Sequence, residues 1–365
     1  MWPSIDIKHE LANSVSSVPQ GAVALEPTNP RQWLKLTLGV RRSKRLPYLP
    51  GFPRTRAPLT RTALREAYGS DPEAVARIQD FANQHHLIVT KDERLSARIG
   101  LAGTVGDLCA AFAVGLMDYS HPELGEFHAR TGPVCLPSEL NGAVTGVFGF
   151  NNHRILRRIA SPDLVSHLWA HVAKPCVALL EFGRCVNERD LAAHFARKNQ
   201  PAPMVKIVNL NGASNLAAPD SAGDVLRDVE AASAQADGAT IAVYFSTCDA
   251  KGLVDCVARI IDDDENAPQV VSINWGCDES QPLDGHIVWS PATIEHVNES
   301  FLSLAHLGVT VCVATDDARA RDGHAFVSFP ATSPYVLAIG AVSDTTQVPP
   351  RWPGRKPGDA KRSAA

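Results

Sequence analysis

The chain lacks most of the signals that would assign it a partner outright. It carries no excess of charge of one sign: over 365 residues the formal net charge is −4, which gives no reason to expect a nucleic-acid or membrane surface as partner. No apolar run is long enough to span a bilayer. The opening residues, MWPSIDIKHELANSVSSVPQGAVALEP, have no basic start followed by an apolar stretch, so no signal peptide is visible. The eight cysteines contain no C-x-x-C pair, which argues against a zinc site. They are scattered, mostly in apolar runs such as TVCVAT, and read as buried free thiols rather than a disulfide framework.

What is present is enough apolar material for two domains. Hydrophobic residues make up 45% and charged residues 20%, the balance of a chain with a proper core. Residues 1–30 read as a poorly ordered leader. WLKLTLGV (33–40) alternates as a strand does. A helix follows with Thr60 as its cap, then a second with Asp71 as cap and Pro72 in its first turn. The second buries Ala74, Val75, Ile78, Phe81 and Ala82 on one face. The strands LIVTK and RLSARIGLAG come next. A third helix opens on a capping box of Thr104 and Asp107. LMDYSH and AVTGVFGF complete a set expected to form an α+β unit of ferredoxin-like type over residues 31–155.

After RILRRIASPD, a basic connector placed at 156–174, the rhythm changes. CVALLEF, MVKIVNL, ATIAVYFS, QVVSINWG, VTVCVAT and YVLAIGAV are apolar strands, separated by amphipathic helices. Buried strands alternating with helices predict an α/β unit over 175–345, a parallel sheet covered on both faces. In such a sheet, functional groups gather beyond the strands' C-terminal ends. Residues 346–365 read as a disordered tail.

Two places hold carboxylates where such a site would sit. Asp224 and Asp228, in GDVLRDVE, are four apart on a predicted helix and share a face. Asp316 and Asp317 follow the strand VTVCVAT. Each pair also has a plain reading: acids near a helix N-terminus favour the dipole, and two acids after a strand suit a polar loop.

Several long stretches, in order, resemble the sedolisin family of serine-carboxyl peptidases, in their kumamolisin-like branch with an N-terminal pro-domain. LTRTALREAYGSDPEAVARIQDFANQHHLIV and LPSELNGAVTGVFGF are similar to the pro-domain. CVALLEFG, GDVLRDVEAASAQADGATIAVYF, VVSINWG and LGVTVCVATDD followed by FPATSPYVLAIGA are similar to the catalytic domain. The resemblance implies a subtilisin-like parallel sheet behind a ferredoxin-like activation domain. It implies acyl transfer in acid: a serine nucleophile, a glutamate base, an aspartate that orients the base, and a protonated aspartate that donates to the oxyanion. Peptides or proteins are the implied substrates. The pro-domain is implied to sit on its own peptidase domain, and secretion is the family's implied location.

The carry-over is partial. Asp224 falls where the family has its glutamate, shorter by one methylene and so by about 1.5 Å of reach. Asp228 matches the orienting aspartate and Asp317 the oxyanion aspartate. Ala318 and Arg319 stand where the family has serine and glycine, and Asp316 where it has glycine. Adjacent acids and an arginine would disturb the protonation Asp317 needs. No Gly-Thr-Ser-x-x-x-Pro sequence occurs, so no nucleophile is assigned. The aspartate- and glycine-rich calcium loop that follows the family's serine is also absent, and no cofactor is expected in this chain. The expectation is a peptidase zymogen by descent, ending before the catalytic serine and inactive as it stands. The alternative is a pseudo-peptidase that binds peptides or a protease. Arg154, Arg157 and Arg158 in the connector are expected either to pair with acids of the catalytic half or to lie in a plain exposed linker.

Overall fold

The computed structural model describes residues 8–49, 57–159, 175–183, 186, 188–199, 201–213, 222–236, 238–279, 288–315 and 328–340. In the first half these form β1 (Lys8–Glu10), β2 (Val23–Pro27), β3 (Trp33–Val40), α1 (Arg61–Tyr68), α2 (Pro72–Gln84), β4 (Ile88–Glu93) and β5 (Arg98–Thr104). They continue through α3 (Val105–Phe112), β6 (Met117–His121), β7 (Gly125–Ala129), β8 (Cys135–Pro137) and β9 (Val144–Phe148). The principal sheet runs β4-β5-β3-β9 and every pairing in it is antiparallel. With helices after its first and third strands, this is the expected ferredoxin-like order.

The helices start where the sequence places their caps. The Thr60 hydroxyl accepts from the Ala63 N–H at 3.1 Å, the Asp71 carboxylate from Glu73 at 3.0 Å, and the Thr104 hydroxyl from Asp107 at 3.1 Å. Each satisfies a backbone donor that the first helical turn leaves without a partner. Alternation along β3 sends Leu36, Leu38 and Val40 into a core with Val75, Ile78, Phe81, Leu108 and Phe112. Thr37 and Gly39 face the other way.

The stretch read as a leader contributes two strands instead. β1 pairs with β8, and β2 joins β6 and β7 in a separate three-stranded sheet. Their anchor is polar and not visible in local pattern. The buried Arg130 donates to the Ser14 carbonyl at 2.7 Å, and the Ser14 hydroxyl accepts from the Val134 N–H at 2.9 Å.

The second half comprises β10 (Arg157–Arg158), β11 (Cys176–Phe182), α4 (Glu188–Arg197), β12 (Met204–Asn209), α5 (Ala222–Gln235), β13 (Thr240–Ser246) and α6 (Ala250–Ile261). After these come β14 (Val270–Ile273), β15 (Trp275–Asp278), α7 (Pro291–His306), β16 (Thr310–Ala314), β17 (Ser328–Phe329) and β18 (Leu337–Ile339). Six strands in the order β12-β13-β11-β14-β16-β18 form an all-parallel sheet. Ala178, Leu180, Tyr244 and Val271 pack on one face with Val254, Val257 and Phe301 of α6 and α7. Val177, Leu179, Ile241 and Val243 pack on the other with Leu191, Phe195, Val225 and Val229 of α4 and α5. Both faces are apolar, as a doubly covered parallel sheet requires.

One expected strand is two. QVVSINWG breaks at Asn274: β14 stays in the parallel sheet, while β15 leaves it to pair antiparallel with β10 and β17. This departure places Trp275 and Asp278 beyond the C-terminal edge of the sheet.

The polar face of the first-half sheet lies on α6 and α7. The Thr37 hydroxyl donates to Asp255 at 2.8 Å. Arg98, 2% exposed, donates to the Val254 carbonyl and to the Ser300 hydroxyl. Arg42 reaches the Leu95 carbonyl at 2.9 Å and the Ser303 hydroxyl at 3.1 Å, and forms an ion pair with Glu299. His296 of α7 sits against Gly39 and Gly146, where a Cβ on either glycine would overlap the imidazole. These two positions need glycine because the His296 side chain packs on them, not because of an unusual φ.

Candidate active site

The site begins with a buried carboxylate in the middle strand of the parallel sheet. Glu181 is the one carboxylate in CVALLEF, near the C-terminal end of β11, and is 2% exposed. The Trp275 indole N–H donates to its Oε2 at 3.0 Å. Asp228 of α5, also 2% exposed, lies within hydrogen-bonding reach of Glu181. Two carboxylates held together away from water cannot both ionise cheaply. Burial, and then the neighbouring Asp228 charge, push the Glu181 carboxyl well above the usual carboxylate range. Arg158 and the Trp275 N–H pull it back part of the way. Asp228 Oδ1 is buried without a hydrogen-bond partner.

The counter-charge comes from the connector. Arg158 forms an ion pair with Asp228, lies 3.4 Å from Glu181 Oε2, and has its guanidinium 5.9 Å from the centre of the Trp275 ring. The same guanidinium reaches the Asp224 backbone carbonyl at 3.5 Å. Arg157, on the opposite side of the strand, pairs with Asp278 at 3.2 Å, and the Asp278 side chain is 3% exposed. The backbone is held equally closely. Arg157 pairs with Gly276 and Arg158 with Trp275, while the Ile159 N–H donates to the Asn274 carbonyl at 2.9 Å. The N–H groups of Ile155 and Leu156 both point at the Cys248 carbonyl, at 2.9 and 3.1 Å. Leu156 is 2% exposed and joins the core. Residues 157–158 thus form a strand against β15, with Leu156 buried beside it, and not an exposed linker; the expected pairing with acids is found for Arg157 and Arg158.

Of the carboxylates picked out from sequence, Asp228 is inside this cluster. Asp224 lies at the N-terminal end of α5, partly exposed, and its carboxylate is bonded by Arg227 one turn on. The two therefore differ in environment despite their four-residue spacing: one is buried against β11 and the other faces the rim. Asp316 and Asp317 lie outside the described residues. Glu181, Trp275 and Asp278 were not singled out from sequence. The available signal for Glu181 was a lone acid inside an otherwise apolar strand, a residue that needs a specific partner when buried.

Cys248 and Cys176 are poorly suited to attack. Cys248 is buried, and desolvation pushes its thiol up to about 11, as it does that of Cys176; a thiol so shifted is a poor nucleophile. Seven cysteines are described, none of them in a disulfide, and Cys185 lies outside the described residues. Among the described residues no three His, Cys, Asp or Glu side chains converge as a metal site would require.

Comparison with known proteins places the two halves together. Residues 21–153 match the family model described as "Pro-kumamolisin, activation domain". Kumamolisin from Bacillus sp. (strain MN-32) is 32% identical over 322 residues, an alignment covering 79% of this chain and 57% of kumamolisin. The chain thus spans little more than half the length of that relative. Among solved structures, Pseudomonas sedolisin, a serine-carboxyl proteinase complexed with two molecules of pseudo-iodotyrostatin, is 18% identical. It covers 45% of this chain and 47% of its own, with a TM-score of 0.36. The epidermin leader peptide processing serine protease (EpiP) from Staphylococcus aureus is 11% identical, covering 84% and 69%, with a TM-score of 0.40. At these scores the structural likenesses add no weight to the sequence match. From the activation-domain match and the identity to kumamolisin, the chain belongs to the sedolisin family and is kumamolisin-like.

Proposed function

We propose that this chain is a serine-carboxyl peptidase zymogen by descent, whose cleft holds an extended peptide but whose residues supply no nucleophile. The observation that carries the reading is the connector. Arg157 and Arg158 add an antiparallel strand to β15 directly beside the buried acids Glu181 and Asp228, where a substrate strand would lie. In this reading residues 31–155 are the activation domain, 156–174 the connector and 175–345 the peptidase unit. Asp228 is the acid that orients the base, Asp224 stands in the base position, and Asp317 takes the oxyanion role.

Two features oppose turnover by these residues alone. Asp224 is one methylene short and already bonded to Arg227, and about 1 Å of misplacement costs on the order of a hundredfold in rate. No serine stands in the Gly-Thr-Ser-x-x-x-Pro setting, and without an attacking oxygen acylation does not start. The chain is expected to show no turnover of a mixed peptide library at pH 3 to 5. Turnover that disappears in Asp228→Asn would overturn the inactive reading and assign an active peptidase with an unrecognised nucleophile. Binding of peptides without turnover favours the second reading, a pseudo-peptidase that acts by holding peptides. The occupied cleft supports that reading directly.

A further inference from the structure

We propose that a cavity between the two halves of the molecule binds a short neutral oligosaccharide, with the Trp33 indole as the platform on which a sugar ring stacks. The site is separate from the buried acids: none of Glu181, Asp228, Arg158 or Trp275 lines it.

The cavity has a volume of about 710 Å³, inside the range of about 300–1,000 Å³ usual for small-molecule sites. One wall is the first half of β3. The other is formed by the chain just past β12 and β13 and by the start of α6. Its charges cancel. Lys35, Lys91 and Lys251 line it together with Glu93, Asp249 and Asp255. Lys251 pairs with Asp255, Lys91 with Glu93 at 3.5 Å, and Asp249 accepts from the Gly252 N–H at 2.7 Å as the cap of α6. A lining whose charges sum to zero draws in neither anions nor cations, and this points to a neutral ligand.

What the lining offers instead is hydrogen bonding of both kinds. The amides of Asn152 and Asn209 and the hydroxyls of Thr90 and Thr247 border the cavity, and each such group can both donate and accept. His128, another lining residue, is 8% exposed, and its Nε2 has no hydrogen-bond partner among the described residues. The Asn152 side-chain oxygen accepts from the His128 backbone N–H at 2.8 Å. Its NH₂ group and the Lys35 ammonium make no hydrogen bond or ion pair among the described residues. A buried polar atom without a partner costs stability until something in the cavity pairs with it.

The apolar contribution comes from one ring. Trp33 opens β3 and is 58% exposed, although leaving an indole in water is unfavourable. Alternation puts it on the same side of β3 as Lys35 and Thr37, and all three border the cavity. A pyranose has the matching surface: hydroxyls around its rim that donate and accept, and C–H groups on its face that lie on an indole. A hydrocarbon ligand would leave the amides and His128 unpaired. A charged one would gain nothing from the balanced lysines and acids.

The test is saturation-transfer difference NMR on the full chain at pH 7. The probes are three neutral trisaccharides, maltotriose, cellotriose and triacetylchitotriose, and two charged peptides of similar size, triglutamate and trilysine. At least one trisaccharide should receive saturation, and neither charged peptide should. Titration of that sugar should show about tenfold weaker binding to Trp33→Ala, while Trp33→Phe, which keeps an aromatic face, should retain most of the affinity. Lys35→Ala, on the same wall, should weaken binding by a smaller factor. Trp33 and Lys35 are both exposed, so these variants should melt with the parent, and a loss of binding then reports the cavity and not the fold. No transfer to any of the three sugars overturns the proposal. Sugar binding that survives Trp33→Ala puts the sugar elsewhere and overturns it as well. A charged peptide bound in preference to every sugar overturns the neutral ligand. The peptide reading of the chain stands or falls separately, because no residue beside Glu181 and Asp228 is changed.

Discussion

The two sheets of this molecule handle polar groups in opposite ways. The antiparallel sheet β4-β5-β3-β9 has one apolar face, closed by α2 and α3, and one face that carries Thr37, Gly39 and Arg98 to α6 and α7. The parallel sheet is apolar on both faces, and its buried acid Glu181 stands near the C-terminal end of β11. The difference separates a surface built for docking from a core built to hold a site. A docking face tolerates hydroxyls, glycines and arginine because the partner supplies acceptors. A parallel sheet covered twice has no such outlet, so a lone acid like Glu181 must find its partners beyond the strand end.

Cutting the chain between the two sheets is the most drastic way to probe that contrast. Residues 8–155 expressed alone should give a cooperative thermal transition, because the core around Phe81 and Phe112 closes without help from the second half. A fragment with no transition would mean that the docking face is needed for folding as well as for association.

Next in size is the connector. Arg158→Ala leaves Asp228 and Glu181 buried without their cation and should cost about 3–5 kcal/mol at pH 7, read as a lowered melting temperature. The cost should shrink in acid. The Glu181 carboxyl is raised in the folded chain, so the folded state takes up its proton before the unfolded one. This group therefore favours folding in acid, and that contribution is lost as pH rises through the folded value. An equal cost at pH 4 and pH 7 would mean that Glu181 keeps one protonation state across that range.

His296 works in the opposite sense, at the docking face. It is packed against Gly39, Gly146 and the edge of Phe148. Burial, and then Arg98, hold its pKa at about 4, with Arg42 adding to the effect; Glu299 and the Thr145 backbone oppose it. The ordinary imidazole value is 6.5. The unfolded or undocked chain therefore binds the proton first. The stability that a neutral His296 contributes is present above pH 6.5 and is lost as pH falls towards 4. At about 1.4 kcal/mol per unit, the loss is on the order of 3 kcal/mol. His296→Gln should flatten melting temperature against pH over this range relative to the parent. An unchanged slope would remove His296 as the titrating group.

The smallest effect expected is local. Thr104→Ala removes the cap of α3 and should cost about 1 kcal/mol, with no change in connector hydrogen exchange. Faster exchange at 155–159 would show that the antiparallel unit transmits changes to the cleft.

The sequence by itself determined the elements and their classes. The 3.6-residue face of α2, the caps at Thr60, Asp71 and Thr104, and the apolar runs of the parallel strands are local facts, and local propensity and periodicity carry them. It also brought out Asp228, because its spacing and neighbours are written along one helix. Tertiary structure alone decided the rest. Lys8–Glu10 and Val23–Pro27 became strands because distant partners and the Arg130 anchor exist for them. QVVSINWG broke at Asn274 because β15 finds its partners outside the parallel sheet. Asp224 and Asp228 parted company because one end of α5 reaches the rim while the next turn packs on β11. The site around Glu181 gathers Arg158, Asp228 and Trp275, the last of them 94 positions from Glu181 along the chain. No window of sequence holds such a set, because the interactions that assemble it depend on distance in space and on exclusion of water, and both exist only once the sheet and its helices have packed.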